Sequence, residues 1–366
     1  MTEQSTALEA LGVAVAAGVP ALLWGAPGTG KTSAIKAMAE ELDWPCETVI
    51  AAIREPSDFA GLPVVTSGVV KFAPPKWAQR LSKSGEGILF LDEISTAPPA
   101  VQAALLRVVL ERVVGDLALP EGVRVVAAAN PPEQAADGWD LSAPLANRFV
   151  HLDWFTDAQA FAQGLAAGWA PARVPTLKKD WRERLPTARG LVAAFVSVRP
   201  TLACAPPQDS ATAGRGWPSP RTWEMAAQLW TAATEAEASD EARYALMIGA
   251  VGDGAGIEFM TWASEMDLPD PEAVLLDPSS FTLPERGDRA YAALVAIASA
   301  VASRSTPDRW IAGWKVLARA GEAAPDVAAM AARVLASCRP EGVSAPPELK
   351  LFIPLLKQAG LLKDEF

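Results

Sequence analysis

Short apolar runs alternate with helical patterns over the first part of the chain, up to about Asp153. Five runs have the length and the residue types of buried strands: Ala21–Trp24, Thr48–Ile50, Ile88–Leu91, Val123–Ala129 and Phe149–Leu152. After the first run, apolar residues recur at helical spacing, at Ile35, Met38, Ala39 and Leu42. Alternation of strands with helices is typical of a parallel sheet with helices on both faces. The pattern therefore predicts an α/β core with a five-stranded parallel sheet.

The pattern becomes helical after Trp154. This part of the chain is rich in alanine, leucine and tryptophan, and we expect most of its tryptophans to anchor amphipathic helices in a core. Two proline-rich breaks, at residues 200–220 and 267–284, interrupt the helical pattern. We therefore expect an αβα core over residues 1–153, an all-α lid over residues 154–266 and a C-terminal helical module over residues 267–366.

A glycine-rich loop joins the first predicted strand to the first predicted helix. Its sequence, Gly25-Ala-Pro-Gly-Thr-Gly-Lys-Thr32, fits the pattern G-x-x-x-x-G-K-[ST]. Glycines allow backbone N–H groups to surround a phosphate chain, Lys31 can reach the β- and γ-phosphates, and the Thr32 hydroxyl can ligate Mg²⁺. The strand–loop–helix setting disfavours the alternative of an unused glycine turn. The residues expected to hold the nucleotide are Gly25, Ala26, Pro27, Gly28, Thr29, Gly30, Lys31, Thr32 and Ser33.

Two carboxylates follow the third predicted strand directly. Asp92 and Glu93 would stand at the carboxyl end of that strand, where open parallel sheets bind their ligands. Asp92 is suited to hold Mg²⁺ through water and belongs with the nucleotide-binding residues, so Thr32 and Asp92 are the expected metal-binding residues. Glu93 is suited to orient and polarise an attacking water.

An asparagine follows the fourth predicted strand. Asn130 comes directly after Val123–Ala129, and the only other asparagine of the chain, Asn147, lies in the same region of the sequence. We expect both near the nucleotide, because a buried amide needs hydrogen-bond partners and a γ-phosphate or a water can provide them. The alternative for Asn130 is a cap of the loop before Pro131.

Two arginines are candidates for contacting the phosphates. Arg148 stands just before the last predicted strand and could reach a phosphate on a neighbouring subunit, where a guanidinium stabilises transition-state charge. Ser219 and Pro220 predict the start of a helix, which places Arg221 in its first turn as a candidate lid contact to the γ-phosphate. Plainer alternatives stay open: Arg148 as a surface residue closing a helix, and Arg221 as an ordinary first-turn arginine.

Composition and charge narrow the classes of function. The formal net charge of −11 disfavours general binding to nucleic acid, which depends on neutralising phosphates. His151 is the only histidine and the three cysteines lie far apart, which disfavours histidine catalysis and structural zinc. The longest apolar run, Leu11–Trp24, is broken by glycines and a proline, so we expect no membrane insertion. Without a secretory signal, we expect a cytoplasmic protein.

These motifs, in this order, resemble those of the AAA+ ATPases, and more closely those of their MoxR branch, which is related to the magnesium-chelatase-type ATPases. The correspondence rests on Gly25–Thr32 as Walker A, Ile88–Glu93 as Walker B, Asn130 as sensor 1, Arg148 as arginine finger and Arg221 as sensor 2. Two predicted hairpins, Val64–Val70 and Arg112–Leu119, correspond to hairpins that look toward the central pore in rings of this branch.

The resemblance implies a homo-oligomeric ring, expected to be hexameric, that binds ATP and Mg²⁺ and uses hydrolysis to remodel or assemble a partner protein. That partner is expected to carry a von Willebrand factor A domain. By the same resemblance, Glu93 activates water and Asn130 positions it. Arg148 acts across the subunit interface, and Arg221 reports the γ-phosphate to the lid.

Two other classes of function stay open. One is a nucleic-acid-remodelling AAA+ motor, which the acidic charge and the lack of basic–aromatic stripes disfavour. The other is a nucleotide-gated scaffold or GTPase. The absence of an N-K-x-D guanine signature disfavours a GTPase, and Glu93 together with Arg148 favours hydrolysis.

Overall fold

The structure, a computed structural model, describes residues 2–131, 139–169, 173–266, 268–358 and 360. Contacts between residues divide the chain into two compact units. The first unit holds Met1–Lys178 and Cys204–Ile257, and the second holds Lys179–Ala203 and Glu258–Phe366. The units are thus interleaved along the sequence, whereas the expected division into residues 1–153, 154–266 and 267–366 is consecutive and stays a prediction.

The elements have the following bounds. The strands are β1 (Ala21–Trp24), β2 (Cys46–Ile50), β3 (Leu62–Thr66), β4 (Val69–Ala73), β5 (Glu86–Asp92), β6 (Val113–Val114), β7 (Leu117–Ala118), β8 (Gly122–Ala129) and β9 (Val150–Asp153). The α-helices are α1 (Glu3–Ala17), α2 (Lys31–Glu41), α3 (Ser57–Ala60), α4 (Lys76–Ser84), α5 (Pro99–Glu111), α6 (Ala143–Ala146), α7 (Ala158–Ala167), α8 (Leu185–Val198), α9 (Ser210–Ala213), α10 (Pro220–Glu235), α11 (Asp240–Val251), α12 (Asp253–Ser264), α13 (Pro271–Leu276), α14 (Gly287–Ser303), α15 (Pro307–Ala323), α16 (Pro325–Ser337) and α17 (Ile353–Gln358).

The first unit contains a five-stranded parallel sheet in the order β2–β5–β8–β1–β9. The five predicted strands and the α/β fold class are therefore confirmed, with strand ends within two residues of the prediction. Because all five strands run the same way, the carboxyl ends of β1, β5 and β8 share one edge of the sheet, which we call the carboxyl edge. The residues that precede β9 lie at the opposite, amino edge.

The central strands are buried on both faces, as their apolar composition requires. Helix α11 packs directly on β9: a Cβ atom at Gly249 would lie 2.1 Å from the carbonyl oxygen of His151, so this approach requires glycine. Helices α1 and α10 pack against α11 in turn. The start of α10 agrees with the prediction, since Ser219 is its N-cap, Pro220 is its first residue, and Thr222 completes a capping box.

Two hairpins form where the sequence predicts them. Strands β6 and β7 make the shorter one, and β3 and β4 pair over their full lengths. The segment Leu62–Ala73, which we call the apolar hairpin, exposes more than half of the surface of Leu62, Val65, Val69 and Val70. Lys71 is its one charged residue. A strand pair that is both apolar and exposed is typical of a contact surface.

The second unit is helical, which confirms the predicted helical C-terminal region and the role of its tryptophans. Trp310 and Trp314 on α15 are completely buried, with their rings edge to face and the centroids 6.0 Å apart. Helix α8 lies close against α14, since a Cβ atom at Gly190 would be 3.0 Å from the Cα atom of Ala296. Within the described residues, every helix is too short or too polar to cross a membrane.

The single histidine is buried in the sheet and neutral. The Nδ1 atom of His151 accepts a hydrogen bond from the indole Nε1 of Trp24 at 2.8 Å, and its Nε2–H donates to the carbonyl oxygen of Ala146 at 2.9 Å. Because an indole N–H can only donate, Nδ1 must keep its lone pair. Burial lowers the pKa of His151 from its usual 6.5 to about 4.

We expect this histidine to make stability depend on pH. Between those two pKa values the unfolded chain binds a proton that the folded chain does not, so stability falls as the pH falls and is fully present above about pH 6.5. The loss should reach about 2 kcal/mol at about pH 5. Urea unfolding of wild type and His151→Gln from about pH 7.5 to about pH 5 measures it. An identical slope in both proteins would contradict the assignment, because no other histidine exists.

Candidate nucleotide site

The loop between β1 and α2 has the form of an anion-binding turn. Gly28 and Gly30 have φ angles of 79° and 86°, in the left-handed region that favours glycine. Helix α2 begins at Lys31, so the unpaired N–H groups of its first turn face the end of the loop. Thr29 Oγ1 donates to the carbonyl oxygen of Ala26 at 2.7 Å, which braces the loop from within.

The outer residues of the loop are open to solvent. Pro27, Gly28, Gly30 and Ser33 are exposed, whereas Gly25 is buried against the sheet. A phosphate chain can therefore approach the tip of the loop from solvent, while the start of the loop at Gly25 is held against the sheet. The residues from Gly25 to Ser33 that are predicted to hold the nucleotide lie in this one turn and the start of α2, whereas Asp92, predicted with them, lies at the end of β5.

The ammonium group of Lys31 lies inside the loop. It donates to the carbonyl oxygens of Gly25 at 2.6 Å and Ala26 at 2.9 Å, and to Asn130 Oδ1 at 3.3 Å. Lys31 is 8% exposed. Burial lowers the pKa of Lys31, and the nearby charge of Asp92 partly opposes this effect. Because its hydrogen-bond partners are neutral oxygens, this buried cation is suited to an anionic ligand.

The residues predicted to bind the metal lie in contact. Thr32 Oγ1, on the first turn of α2, donates to Asp92 Oδ2 at 3.1 Å, at the end of β5. Hydroxyl and carboxylate oxygens are ligands that Mg²⁺ prefers, so this pair fits the ion. Among the described residues, no group of three or more His, Cys, Asp or Glu is placed to hold a metal. An ion at Thr32 and Asp92 would therefore depend on phosphate and water oxygens for the rest of its coordination.

Glu93 leaves the strand on a strained backbone. Its φ angle is 55°, in the left-handed region that is uncommon for a glutamate. Its N–H donates to Asp92 Oδ1 at 3.0 Å, and Thr96 Oγ1 donates to its carbonyl oxygen at 2.9 Å. Such a conformation costs on the order of 1–3 kcal/mol and occurs at functional sites as well as in turns, as at Asp43 and Ser67 of this chain. The turn leaves Glu93 exposed at the carboxyl edge, beside the pair that fits Mg²⁺.

Asn130 joins the same cluster from the end of β8. Its Oδ1 atom accepts from Lys31, and its carbonyl oxygen accepts from Ser95 Oγ at 3.4 Å. The structure thus brings together five predicted residues from the ends of two strands, β5 and β8, and the start of one helix, α2. We call them the carboxyl-edge cluster: Lys31, Thr32, Asp92, Glu93 and Asn130.

Arg148 and Arg221 lie beside each other and form a second group, the arginine pair. Burial lowers the pKa of Arg148, and the nearby positive charge of Arg221 lowers it further. Arg148 is half-buried and donates to the carbonyl oxygen of Pro144, and Arg221 is exposed. Two guanidinium groups repel each other, so their joint position favours an anion as ligand.

Asn147 connects Arg221 of the arginine pair with the residues at the start of α10. Its Oδ1 atom accepts from Ser219 Oγ at 2.9 Å and from Arg221 Nη1 at 3.4 Å. Its Nδ2 donates to the carbonyl oxygen of Trp217 at 3.3 Å. Asn147 is 2% exposed, so these bonds satisfy an amide that water cannot reach.

The arginine pair lies at the amino edge of the sheet. Arg148 comes just before β9, whose first residue, Val150, pairs with Ala21, the first residue of β1. The glycine loop follows the last residue of β1. A strand rises about 3.3 Å per residue, so about 10 Å of β1 separates the two edges. The backbone at Arg148 is therefore about one length of β1 away from the glycine loop of its own chain.

One outcome differs from the sequence-based expectations, and one contact was not predicted. Asn147 does not lie near the nucleotide site of its own chain, because the start of β9 is at the opposite edge from the end of β1. Its role in holding Arg221 was not predicted, and no local sequence signal indicates it, since the two residues are far apart in the chain.

Residues 20–149 match the family model of the AAA domain, dynein-related subfamily. Among solved structures, the chain is similar to a candidate ATPase from Cytophaga hutchinsonii, with 17% identity over 72% of this chain and 81% of that chain, and a TM-score of 0.43. A full-length MCM homolog from Methanopyrus kandleri has 18% identity over 69% and 54% of the two chains, with a TM-score of 0.37. A point mutant of RuvB from Thermotoga maritima has 18% identity over 98% and 86%, with a TM-score of 0.30.

No curated protein matches the sequence. Structural similarities at these TM-scores carry no weight of their own. The assignment of residues 20–149 to a nucleotide-binding domain rests on two findings. The family match spans the glycine loop and every residue of the carboxyl-edge cluster, and the geometry of that cluster agrees with it.

Proposed function

We propose that this ATP hydrolase, whose residues 20–149 are an AAA domain, works as a MoxR-type hexameric ring that remodels or assembles a partner protein. The observation that carries the proposal is the position of the carboxyl-edge cluster and the arginine pair at opposite edges of one sheet. Each subunit then offers a nucleotide site on one side and two cations on the other. Such a head-to-tail contact closes into a ring when its rotation allows.

Within one site, ATP would bind with its β- and γ-phosphates in the glycine loop. The Lys31 ammonium would exchange its bonds to the Gly25 and Ala26 carbonyls for bonds to phosphate oxygens. Thr32 and Asp92 would hold Mg²⁺, which neutralises charge on the β- and γ-phosphates when bound. Glu93 would accept a proton from the attacking water, and Asn130 would help to position that water.

The arginine pair would complete the site of the adjacent subunit. Arg148 would stabilise the charge that develops on the γ-phosphate during transfer. Because Asn147 binds Arg221 at the same edge, we assign Arg221 to that same neighbouring phosphate. Both arginines of one subunit would then act on one site, and neither would act on its own.

Movement would pass from the phosphate to the rest of the subunit through α10. Arg221 lies in the first turn of α10, and this helix packs on α11, which lies directly against β9. Loss of the γ-phosphate would release Arg221 and with it the contact between neighbouring subunits. This order–release step is the common way in which nucleotide hydrolysis drives motion.

The apolar hairpin is the surface that we assign to the partner protein. Its exposed valines and Leu62 fit a polypeptide, whereas a nucleic-acid surface needs many cations and this segment has only Lys71. The resemblance to the MoxR branch suggests a partner with a von Willebrand factor A domain, acting in the cytoplasm. Stimulation of hydrolysis by DNA at physiological salt would favour the nucleic-acid motor instead.

Removal of the Lys31 charge tests the proposal directly. We expect Lys31→Ala to bind MgATP and MgADP at least about 100-fold more weakly, because several charge-assisted bonds to phosphate are lost. Assembly driven by ATP should be lost when Lys31→Ala is alone, because no subunit then holds nucleotide. Calorimetry gives the affinity and light scattering gives the mass in solution.

Lys36→Ala is the matched control, because Lys36 is an exposed lysine on the same helix. It should bind and assemble like wild type. If Lys31→Ala binds nucleotide and assembles normally while remaining folded, the proposed function is wrong.

A further inference from the structure

We infer that Trp154 is a positioning residue that holds the glycine loop in its phosphate-binding form. Trp154 directly follows β9 and is 2% exposed. Its indole Nε1 donates to the carbonyl oxygen of Thr29 at 3.0 Å. Its backbone N–H donates to the carbonyl oxygen of Trp24, the last residue of β1, at 2.6 Å. One residue therefore fixes both the entry to the loop and its middle.

The bond to Thr29 sets the direction of a backbone donor. In a planar trans peptide, the C=O and the N–H point in opposite directions. Because the Thr29 carbonyl points to the indole of Trp154, the N–H of Gly30 points away from it. Gly30 precedes α2 directly, and loops with this sequence pattern bind phosphates through such backbone N–H groups. The indole thus orients a phosphate donor that it does not touch.

The backbone of Trp154 also presses against the start of the loop. A Cβ atom at Gly25 would lie 2.6 Å from the Trp154 carbonyl oxygen and 3.0 Å from its Cβ atom. Gly25 is therefore required by this packing, in addition to any contact with phosphate. The loop is held from the sheet side by Trp154, and its other side stays open for the ligand.

A tryptophan can be buried in this unit without such a bond. Trp77 on α4 is 7% exposed, and its Nε1 is buried with no hydrogen-bond partner within the described structure. The bond from Trp154 to Thr29 is therefore not a general requirement for burying an indole here. Trp77 provides a control that loses the same atoms without touching the loop.

The inference rests on the proposed nucleotide site, and Trp154→Phe tests it. We expect this variant to raise the Kd for MgADP and the KM for ATP by about tenfold, the usual effect of one lost hydrogen bond on a preorganised site. The kcat should stay within about twofold, because no group that reacts is changed. Inorganic triphosphate should lose the same factor as MgADP, since the loop holds only phosphates.

Trp77→Phe should leave the Kd and the KM unchanged. It should lower the melting temperature less than Trp154→Phe does, because Trp77 donates no hydrogen bond within the described residues that the substitution would break. An equal change of nucleotide affinity in the two variants overturns the inference, because it would then reflect packing alone. A loss of affinity for MgADP without a loss of affinity for inorganic triphosphate also overturns the inference. That result would place Trp154 against the adenine of the nucleotide.

Benzothienylalanine at position 154 replaces the indole N–H by sulfur and keeps the shape of the ring. This variant tests the inference even if Trp154→Phe does not fold. We expect it to bind MgADP about as weakly as Trp154→Phe does. Unchanged affinity with this residue overturns the inference. Failure of wild type itself to bind MgADP would instead count against the proposed function, so the two failures are distinguishable.

Discussion

Glu93→Gln is expected to bind MgATP about as tightly as wild type and to hydrolyse it at least about 100-fold more slowly, the usual contribution of a general base. The amide keeps the size of the side chain but cannot accept a proton from water at neutral pH. Asp92 and Lys31 are untouched, so the nucleotide should stay bound. Release of phosphate in the steady state and retention of labelled ATP on gel filtration give the two quantities.

Glu86→Gln is the matched control for this substitution. Glu86 is exposed at the amino end of β5, the strand that carries Asp92 at its other end. We expect the control to hydrolyse ATP at the wild-type rate. A near-normal rate in Glu93→Gln would remove Glu93 as the base. The slow variant should also hold a partner protein on the ring, which makes it suited to a pull-down.

Arg148→Ala is expected to lower the rate of hydrolysis by about 10³-fold, the lower end of the range for arginines supplied by a neighbouring subunit. ATP should still bind to the glycine loop. An equal mixture with Lys31→Ala should recover activity up to about one quarter of wild type. In a randomly mixed ring, only about that share of interfaces joins an intact loop to an intact arginine pair.

Mixtures also tell where Arg221 acts. Because Arg148 and Arg221 of one subunit lie together, we expect Arg148→Ala and Arg221→Ala to give no recovery when they are mixed. If Arg221 acted on its own subunit, that same mixture would recover about one quarter of the rate. Arg107→Ala is the control for the loss of one positive charge. It removes an exposed arginine that bonds the nearby Glu111 and Gly115.

Much of the first unit could be predicted because its signals are local. The strand Ala21–Trp24 is a short apolar run between a proline and a glycine, and its observed bounds are those of the prediction. The chemistry of the glycine loop lies in consecutive residues, so the sequence defines it. The start of α10 was also predictable, since a capping serine and a proline mark it.

Positions that depend on tertiary contacts could not be predicted. The sequence predicts Asn147 near the nucleotide because it lies in the same region as Asn130, yet the parallel course of β9 puts it at the other edge. The contact of Arg221 with Asn147 joins two distant parts of the chain, and no periodicity encodes it. The bond from Trp154 to Thr29 was hidden for the same reason, although Trp154 directly follows a predicted strand.

The division into units also depends on packing. Helices α10 and α11, expected in a separate lid, pack with α1 and β9, because Gly249 lets α11 touch the backbone of β9. The segment Lys179–Ala203, expected in the same lid, belongs to the second unit through the packing of α8 on α14. Which helices pack together in one unit thus depends on small residues that allow close approach. An amphipathic pattern shows that a helix has a buried face, but it does not show which element covers that face.

The account rests on a nucleotide site that the next subunit completes. The most direct measurement is a cryo-EM map of Glu93→Gln with MgATP. We predict that Arg148 and Arg221 of one subunit both lie within hydrogen-bond distance, about 3 Å, of the γ-phosphate held by the glycine loop of the adjacent subunit. A map with ATP bound in which both guanidinium groups face solvent, or their own subunit's glycine loop, would contradict it.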